Sequence, residues 1–173
     1  MTDENTKAST DFSGASASIT LPLRIGDSYQ GGKIFYIDGT GLHGLIAATS
    51  DISTGAPWGD FGLTITGADG TAIGTGNQNT IDIMAGCATP GIAARLCGDL
   101  VQGGYSDWYL PSKDELEKLY INRTAVGNFF NVQYWSSSER DSYDVWMMDF
   151  SNGNKDYLDK YYNSFRVRAI RSF

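Results

Sequence analysis

The 173-residue chain carries 20 acidic against 13 basic side chains, a formal net charge of −7, with 41% apolar and 13% aromatic residues. That length fits one domain with a real core, while the acidic balance argues against nucleic acid and anionic membranes, which attract clustered Lys and Arg. No apolar run approaches the ~20 residues of a spanning helix, so no membrane insertion is expected.

Residues 1–20 are rich in Ser, Thr, Ala, Asp and Gly and too poor in apolar side chains to pack. They read as a flexible arm ahead of a domain over 21–173. Asp3 and Glu4 come early and no apolar stretch follows, unlike a secretory signal peptide.

Ile34 to Ile37 is an apolar strand, Gly39-Thr40-Gly41 a turn, and Leu45 to Ala48 the return, which together predict a hairpin. Gly39 to Gly44 also satisfies G-x-G-x-x-G. A dinucleotide site needs a helix directly behind that run to hold the pyrophosphate, and the residues to Ser50-Asp51 are too few for one.

Eighteen of the 21 glycines fall between Gly26 and Gly104, so this half is built from tight turns. Residues 56–85 read as a turn-rich excursion, with Trp58 and Phe61 as aromatic plugs beneath a long loop. Asp51, Asp60, Asp69 and Asp82 are scattered rather than spaced as a calcium loop, and read as turn acids. Cys87 and Cys97, ten apart, match no common zinc spacing, and a single His cannot complete a Cys/His site. They read as free, packed thiols, with one disulfide as the alternative.

Two helices are legible. Thr89-Pro90 offers an N-cap and a first-turn proline, after which Ile92, Ala93, Leu96, Cys97, Leu100 and Val101 recur at helical spacing up to Gly103-Gly104. Ser112-Lys113-Asp114-Glu115 is a capping box, followed by the stripe Leu116, Leu119 and Tyr120. Beyond Asn131 the period changes to two. Tyr134 to Ser138 is strand-like, Trp146, Met148 and Phe150 alternate with Met147 and Asp149, and Phe165 to Phe173 reads as a closing strand. The fold class is α+β: an N-terminal hairpin, long glycine-rich loops, two helices and a C-terminal antiparallel meander.

No catalytic constellation is legible. His43 sits at the hairpin turn, Ser136-Ser137-Ser138 lacks a nucleophile elbow, and Asp156 and Asp159 read as a solvated face. The last forty residues differ in kind, with ten of the 22 aromatic side chains. Tyr143, Tyr157, Tyr161 and Tyr162 follow no buried period and are mixed with Asp, Ser and Asn, the composition of a recognition surface. Shielding of a small core is the competing reading of the same rings.

The runs Gly104-Tyr105-Ser106-Asp107-Trp108-Tyr109-Leu110-Pro111-Ser112 and Tyr134-Trp135-Ser136-Ser137-Ser138-Glu139, with Trp146, Phe150, Gly153 and Arg166-Val167-Arg168, resemble the domain named after the C-terminal part of the Legionella collagen-like adhesin. The resemblance runs over about residues 24–173. It implies a C-type-lectin-like fold, also similar to the formylglycine-generating enzyme, whose paired cysteines Cys87 and Cys97 do not match in place or spacing. Calcium-lectin triplets are absent from the sequence, so no cofactor or metal is implied.

Within that family the C-terminal layout looks most like the variable proteins of diversity-generating retroelements, from phage or bacteria. The resemblance implies a non-catalytic ligand-binding protein. Its scaffold would be Trp135, Ser136 to Glu139, Trp146, Phe150, Gly153 and Arg166 to Arg168. Its exposed, diversified surface would be Arg140, Asp141, Tyr143, Asp144, Met147, Asp149, Tyr157, Leu158, Asp159, Tyr161, Tyr162 and Asn163. The partner would be a protein or glycan on a target cell or virus, and the protein would sit on a virion or a bacterial surface. The alternative is an adhesin or lipoprotein module of fixed sequence.

Overall fold

A computed structural model describes residues 22–161 and 165–173. The arm expected over 1–20 lies outside the described residues, as do Tyr162 and Asn163. Within them the chain forms a mixed α/β architecture with four helices and two antiparallel sheets.

The hairpin forms as the sequence predicts. β2 (Gly32–Ile37) pairs with β3 (Gly44–Ala47), and a short β1 (Ser28–Tyr29) pairs with β2 on its outer side. Asp38 closes the turn: its Oδ1 accepts from Thr40 N at 3.0 Å, Thr40 Oγ1 at 2.6 Å and Gly41 N at 3.1 Å. The glycine-rich run is thus a carboxylate-closed hairpin turn with a strand behind it.

The closing strand is shorter than expected and sits elsewhere. β7 (Ile170–Ser172) pairs with β3, Leu45 opposite Ser172 and Ala47 opposite Ile170, instead of extending the C-terminal meander. The sheet order is β1-β2-β3-β7, so the chain between Ala48 and Ala169 is one long excursion from a sheet that both its ends share.

That excursion holds the helices, and here the structure corrects the sequence reading. α1 (Gly76–Gly86) occupies the stretch expected to be turns, because its inner stripe is largely polar: Asn79 and Thr80 are buried beside Ile83. Their side chains are satisfied, Asn79 Nδ2 donating to Gly70 O at 2.7 Å and Thr80 Oγ1 accepting from Leu110 N at 3.0 Å. No apolar period announces such a helix. α2 is only Ala93–Gly98, with Ile92 at its N-cap position. Thr89, expected to cap it, instead donates its hydroxyl to Asp60 Oδ1 at 2.6 Å. α3 (Lys113–Ile121) carries the predicted capping box of Ser112 and Glu115, and α4 (Arg123–Val126) follows as a single turn.

The second sheet has the order β4-β5-β6, with β4 (Gln133–Glu139), β5 (Asp144–Asp149) and β6 (Lys155–Asp159). β4 is the wall between two cores and is buried from Tyr134 to Glu139. Trp135 packs into the larger cluster with Trp58, Trp108, Ile46 and Val167, and Tyr134 into the smaller one with Phe35, Leu119 and Phe150. Cys87 and Cys97 are free, buried thiols of the larger cluster. The aromatic weight of these clusters explains how so glycine-rich a chain retains a core, since each large ring removes on the order of 150–250 Å² from water.

Candidate functional site

The polar run Ser136-Ser137-Ser138-Glu139 lies inside the protein, where it fixes the loops that surround the C-terminal surface. Ser136 O accepts Trp58 Nε1–H at 2.7 Å, and Ser136 Oγ donates to Trp146 O at 2.6 Å. Ser138 Oγ donates to Gly70 O at 2.7 Å and accepts Lys113 N–H at 2.9 Å. Glu139 takes Ile65 N–H on both carboxylate oxygens, at 3.0 and 2.9 Å, and forms a buried ion pair with Lys160. Lys160 also donates to Leu63 O at 2.8 Å and lies over the Trp58 ring. Small hydroxyls suit this task, because each supplies a donor and an acceptor to loop backbone that would otherwise be buried unpaired.

A second ionic clasp holds the C-terminal segment. Asp51, expected to be a turn acid, accepts Arg168 Nε at 2.8 Å, Arg166 Nη1 at 3.0 Å and the Tyr134 hydroxyl at 3.0 Å. Burial first, and then Asp51 itself, push the Tyr134 phenol up to about 12.

On this frame stands an exposed face built from β5, β6 and the turns beside them. Tyr143 is 55% exposed, Tyr157 41% and Tyr161 81%. The register sets Trp146 opposite Tyr157, and the two rings meet edge to face at 5.7 Å. The Arg140 guanidinium lies 3.4 Å from the Tyr157 ring centre and pairs with Asp144 at 3.1 Å. Lys113 reaches over Trp146 from α3.

Several acidic residues of the expected surface also build it. Asp141 Oδ1 accepts the N–H groups of Tyr143 and Asp144, each at 2.8 Å, and those bonds, Tyr143 first, hold its carboxyl below the usual carboxylate range. Asp149 accepts Ser151 N–H at 2.8 Å, and hydrogen bonding from Ser151, its hydroxyl first, lowers that carboxyl too. Asp159 accepts Tyr161 N–H at 2.7 Å.

One residue expected on this surface is inside and a second is half-buried against the core. Met147 is 7% exposed and belongs to the larger core, and Leu158, opposite Val145 in the register, packs half-buried against the same core. Trp146, expected among the buried scaffold, is only partly covered and faces outward beside Tyr157. The alternation of β5 is therefore real but opposite in phase at this point: Val145 and Met147 point to the larger core, while Met148 is held by the smaller one. Val145 was the available signal, because it lies two positions before Met147 and so belongs to the same alternate set.

Phe61 is the other residue that sequence reasoning misplaced. It is no plug but a half-exposed ring, 5.1 Å from Tyr143 and 6.4 Å from Tyr161. Gly62, at φ +83°, turns the chain behind it and donates its N–H to Ser142 O at 2.9 Å, which ties the Phe61 loop to the β4–β5 turn. The flanking Gly59-Asp60 and Gly62 were the available sign, since a ring inside so short a glycine turn lacks the cover of neighbouring side chains.

Chemically the surface offers rings, hydroxyls and carboxylates. His43 is exposed on the β2–β3 turn, and burial pushes the Cys97 thiol far up, away from the thiolate that a nucleophile needs. Among the described residues no three His, Cys, Asp or Glu side chains come together in a way that could hold a metal ion, and no helix is long and apolar enough to cross a membrane. A family model described as the Lcl C-terminal domain matches residues 48–171, the family expected from the Gly104–Ser112 and Tyr134–Glu139 runs. No curated protein matches the chain.

Proposed function

The chain belongs to the Lcl C-terminal domain family, and from that premise we propose that it is a non-catalytic, adhesin-like recognition domain. Its β5–β6 face binds a protein or glycan on a target cell or virus. The observation that carries this reading is the position of Tyr143, Tyr157 and Tyr161 in solvent above a frame that is buried from Tyr134 to Glu139 of β4. Tyrosine gives contact area with few rotatable bonds, so rings held out this way bind at little entropic cost. The shielding alternative would need those rings buried against the core, whereas even Tyr157 beneath Arg140 keeps 41% of its surface in solvent.

We propose further that the arrangement is C-type-lectin-like, supported by the pairing of the terminal strands in one sheet and the second, smaller sheet on the long excursion. The finer reading is a variable protein of a diversity-generating retroelement. It draws support from the division of labour along β4 to β6: Trp135 to Glu139 are inside, while Arg140, Tyr143, Tyr157 and Tyr161 are outside. Family membership favours a second reading, a surface adhesin of fixed sequence.

Two experiments separate these. Screening the purified chain against a glycan array and a panel of cell-surface ectodomains, beside a Tyr143→Ala/Tyr157→Ala/Tyr161→Ala variant, is expected to give hits that the variant loses. Each substitution should change stability by under about 1 kcal/mol, as for exposed sites. Hits unchanged in the variant would remove this face from recognition. Sequencing the locus then decides between variable and fixed: a near-identical adjacent repeat with a reverse transcriptase gene supports the first, and absence of both leaves the second.

A further inference from the structure

Phe61, Tyr143 and Tyr161 form a ring cluster whose planes are strongly inclined, at 60° and 75°, so that they present their faces in different directions. Each tyrosine is accompanied by a carboxylate that its own backbone positions. Asp141 Oδ1 accepts Tyr143 N–H at 2.8 Å, and Asp159 Oδ1 accepts Tyr161 N–H at 2.7 Å. These turns hold two carboxylates against the backbone of the two tyrosines; neither is in an ion pair among the described residues, although Arg140 and Lys160 lie near enough to Asp141 to add to the lowering of its carboxyl.

Elsewhere on the same face the protein covers its rings with its own cations, Arg140 over Tyr157 and Lys113 over Trp146. Among the described residues no Lys or Arg lies over Phe61, Tyr143 or Tyr161. The basic residue nearest in sequence, Lys160, is turned inward to Glu139. Ring faces carry the negative part of the aromatic quadrupole, so rings and carboxylates together attract a cation from outside.

We propose that the Phe61–Tyr143–Tyr161 cluster is the seat for an arginine or lysine side chain projecting from a basic face of a partner protein. This rests on the recognition reading above and names the partner's chemistry. A protein is favoured over a small cation because the cluster is open, so a bound cation would be held by its attachment to a larger surface instead of by enclosing walls. The net charge of −7 extends the same complementarity to the molecule as a whole. Arginine suits the seat better than lysine, since a planar, weakly hydrated guanidinium both stacks and forks.

The test is a nuclear magnetic resonance titration of the full chain, following the ring signals. The probes are N-acetyl-arginine amide, neutral N-acetyl-glutamine amide, and a short arginine-containing peptide. The arginine probes are expected to shift all three rings and the glutamine probe to leave them in place. Phe61→Ala should weaken the arginine peptide roughly two- to fivefold, the scale of one exposed cation–ring contact. Asp141→Asn/Asp159→Asn keeps an oxygen for each turn yet removes both charges, and should weaken it at least as much. Raising salt from about 0.05 to about 0.5 M should weaken it too. Equal response to the neutral probe, no ring response to arginine, or an unaffected Asn pair would each overturn the cation seat. The array screen with the tyrosine variant reads the recognition face separately, so a neutral or glycan ligand found there would sink this inference and leave that one standing.

Discussion

Arg171 is buried, and its guanidinium is held by Asp107 at 2.7 and 2.8 Å and by the Gln30 side-chain carbonyl at 2.6 Å, with the Tyr105 ring against its face. Hydrogen bonding to Arg171 is the main reason that the Asp107 carboxyl stays below its ordinary range. A carboxylate depressed in the fold stabilises fully above its unfolded value, about 3.9, and that stability fades as pH falls through the lower folded value. Asp107→Asn should therefore lower the Tm at neutral pH, and its Tm curve should converge with that of the parent chain in acid. A gap that persists unchanged below the folded value would show that Asp107 acts through packing alone. Asp107 is largely exposed, so the effect should be small. Residues such as this are visible in the sequence as charged letters, but their partners are not. Asp51 reads as a turn acid because Arg166 and Arg168 lie more than a hundred positions away and only the folded chain brings them together.

At the scale of elements, β4 does the joining, and Ser138 tests how. Its hydroxyl bridges Gly70 O and Lys113 N, linking the loop before α1 to the start of α3. Gly70 O keeps a second donor in Asn79, so Ser138→Ala chiefly orphans one part-buried N–H and should cost about 1 kcal/mol, read as a fall in the urea midpoint at constant slope. A change under about 0.5 kcal/mol would mean that water replaces the hydroxyl. Elements with a local signal were legible: the hairpin from two apolar runs flanking a glycine turn, and α3 from a capping box that the structure reproduces bond for bond. Elements whose stability comes from elsewhere were not. α1 buries amide and hydroxyl groups that meet partners across the fold, and β6, an edge strand exposed on Lys155 to Tyr157, shows no apolar alternation at all.

For the whole molecule the question is whether the frame and the face are energetically independent. Arg140 packs on Tyr157, and Tyr143 and Tyr161 each meet Phe61, while the frame closes on Trp58, Trp135, Glu139 and Lys160. Most of the face was readable as a departure from periodicity. Its depth was not, because a strand with both sides partly covered hides which alternate set is inside, and so Met147 exchanged places with Trp146. That exchange makes a sharp comparison. A display library randomised at Arg140, Tyr143, Tyr157 and Tyr161 should fold in most members, since exposed sites change stability little and sites without shared buried partners add nearly independently. A matched library in which Met147 and Leu158 are randomised with the same codons should fold rarely. Met147→Ala alone is expected to cost about 2–5 kcal/mol, as for a buried methionine, and polar replacements there more. Protease survival of displayed members gives the readout. If the Met147 and Leu158 library survives as well as the other, the core under β5 is plastic and tolerance of substitution extends through the sheet; if the outer library collapses, the tyrosines are structural and the proposed recognition must be sought on another face.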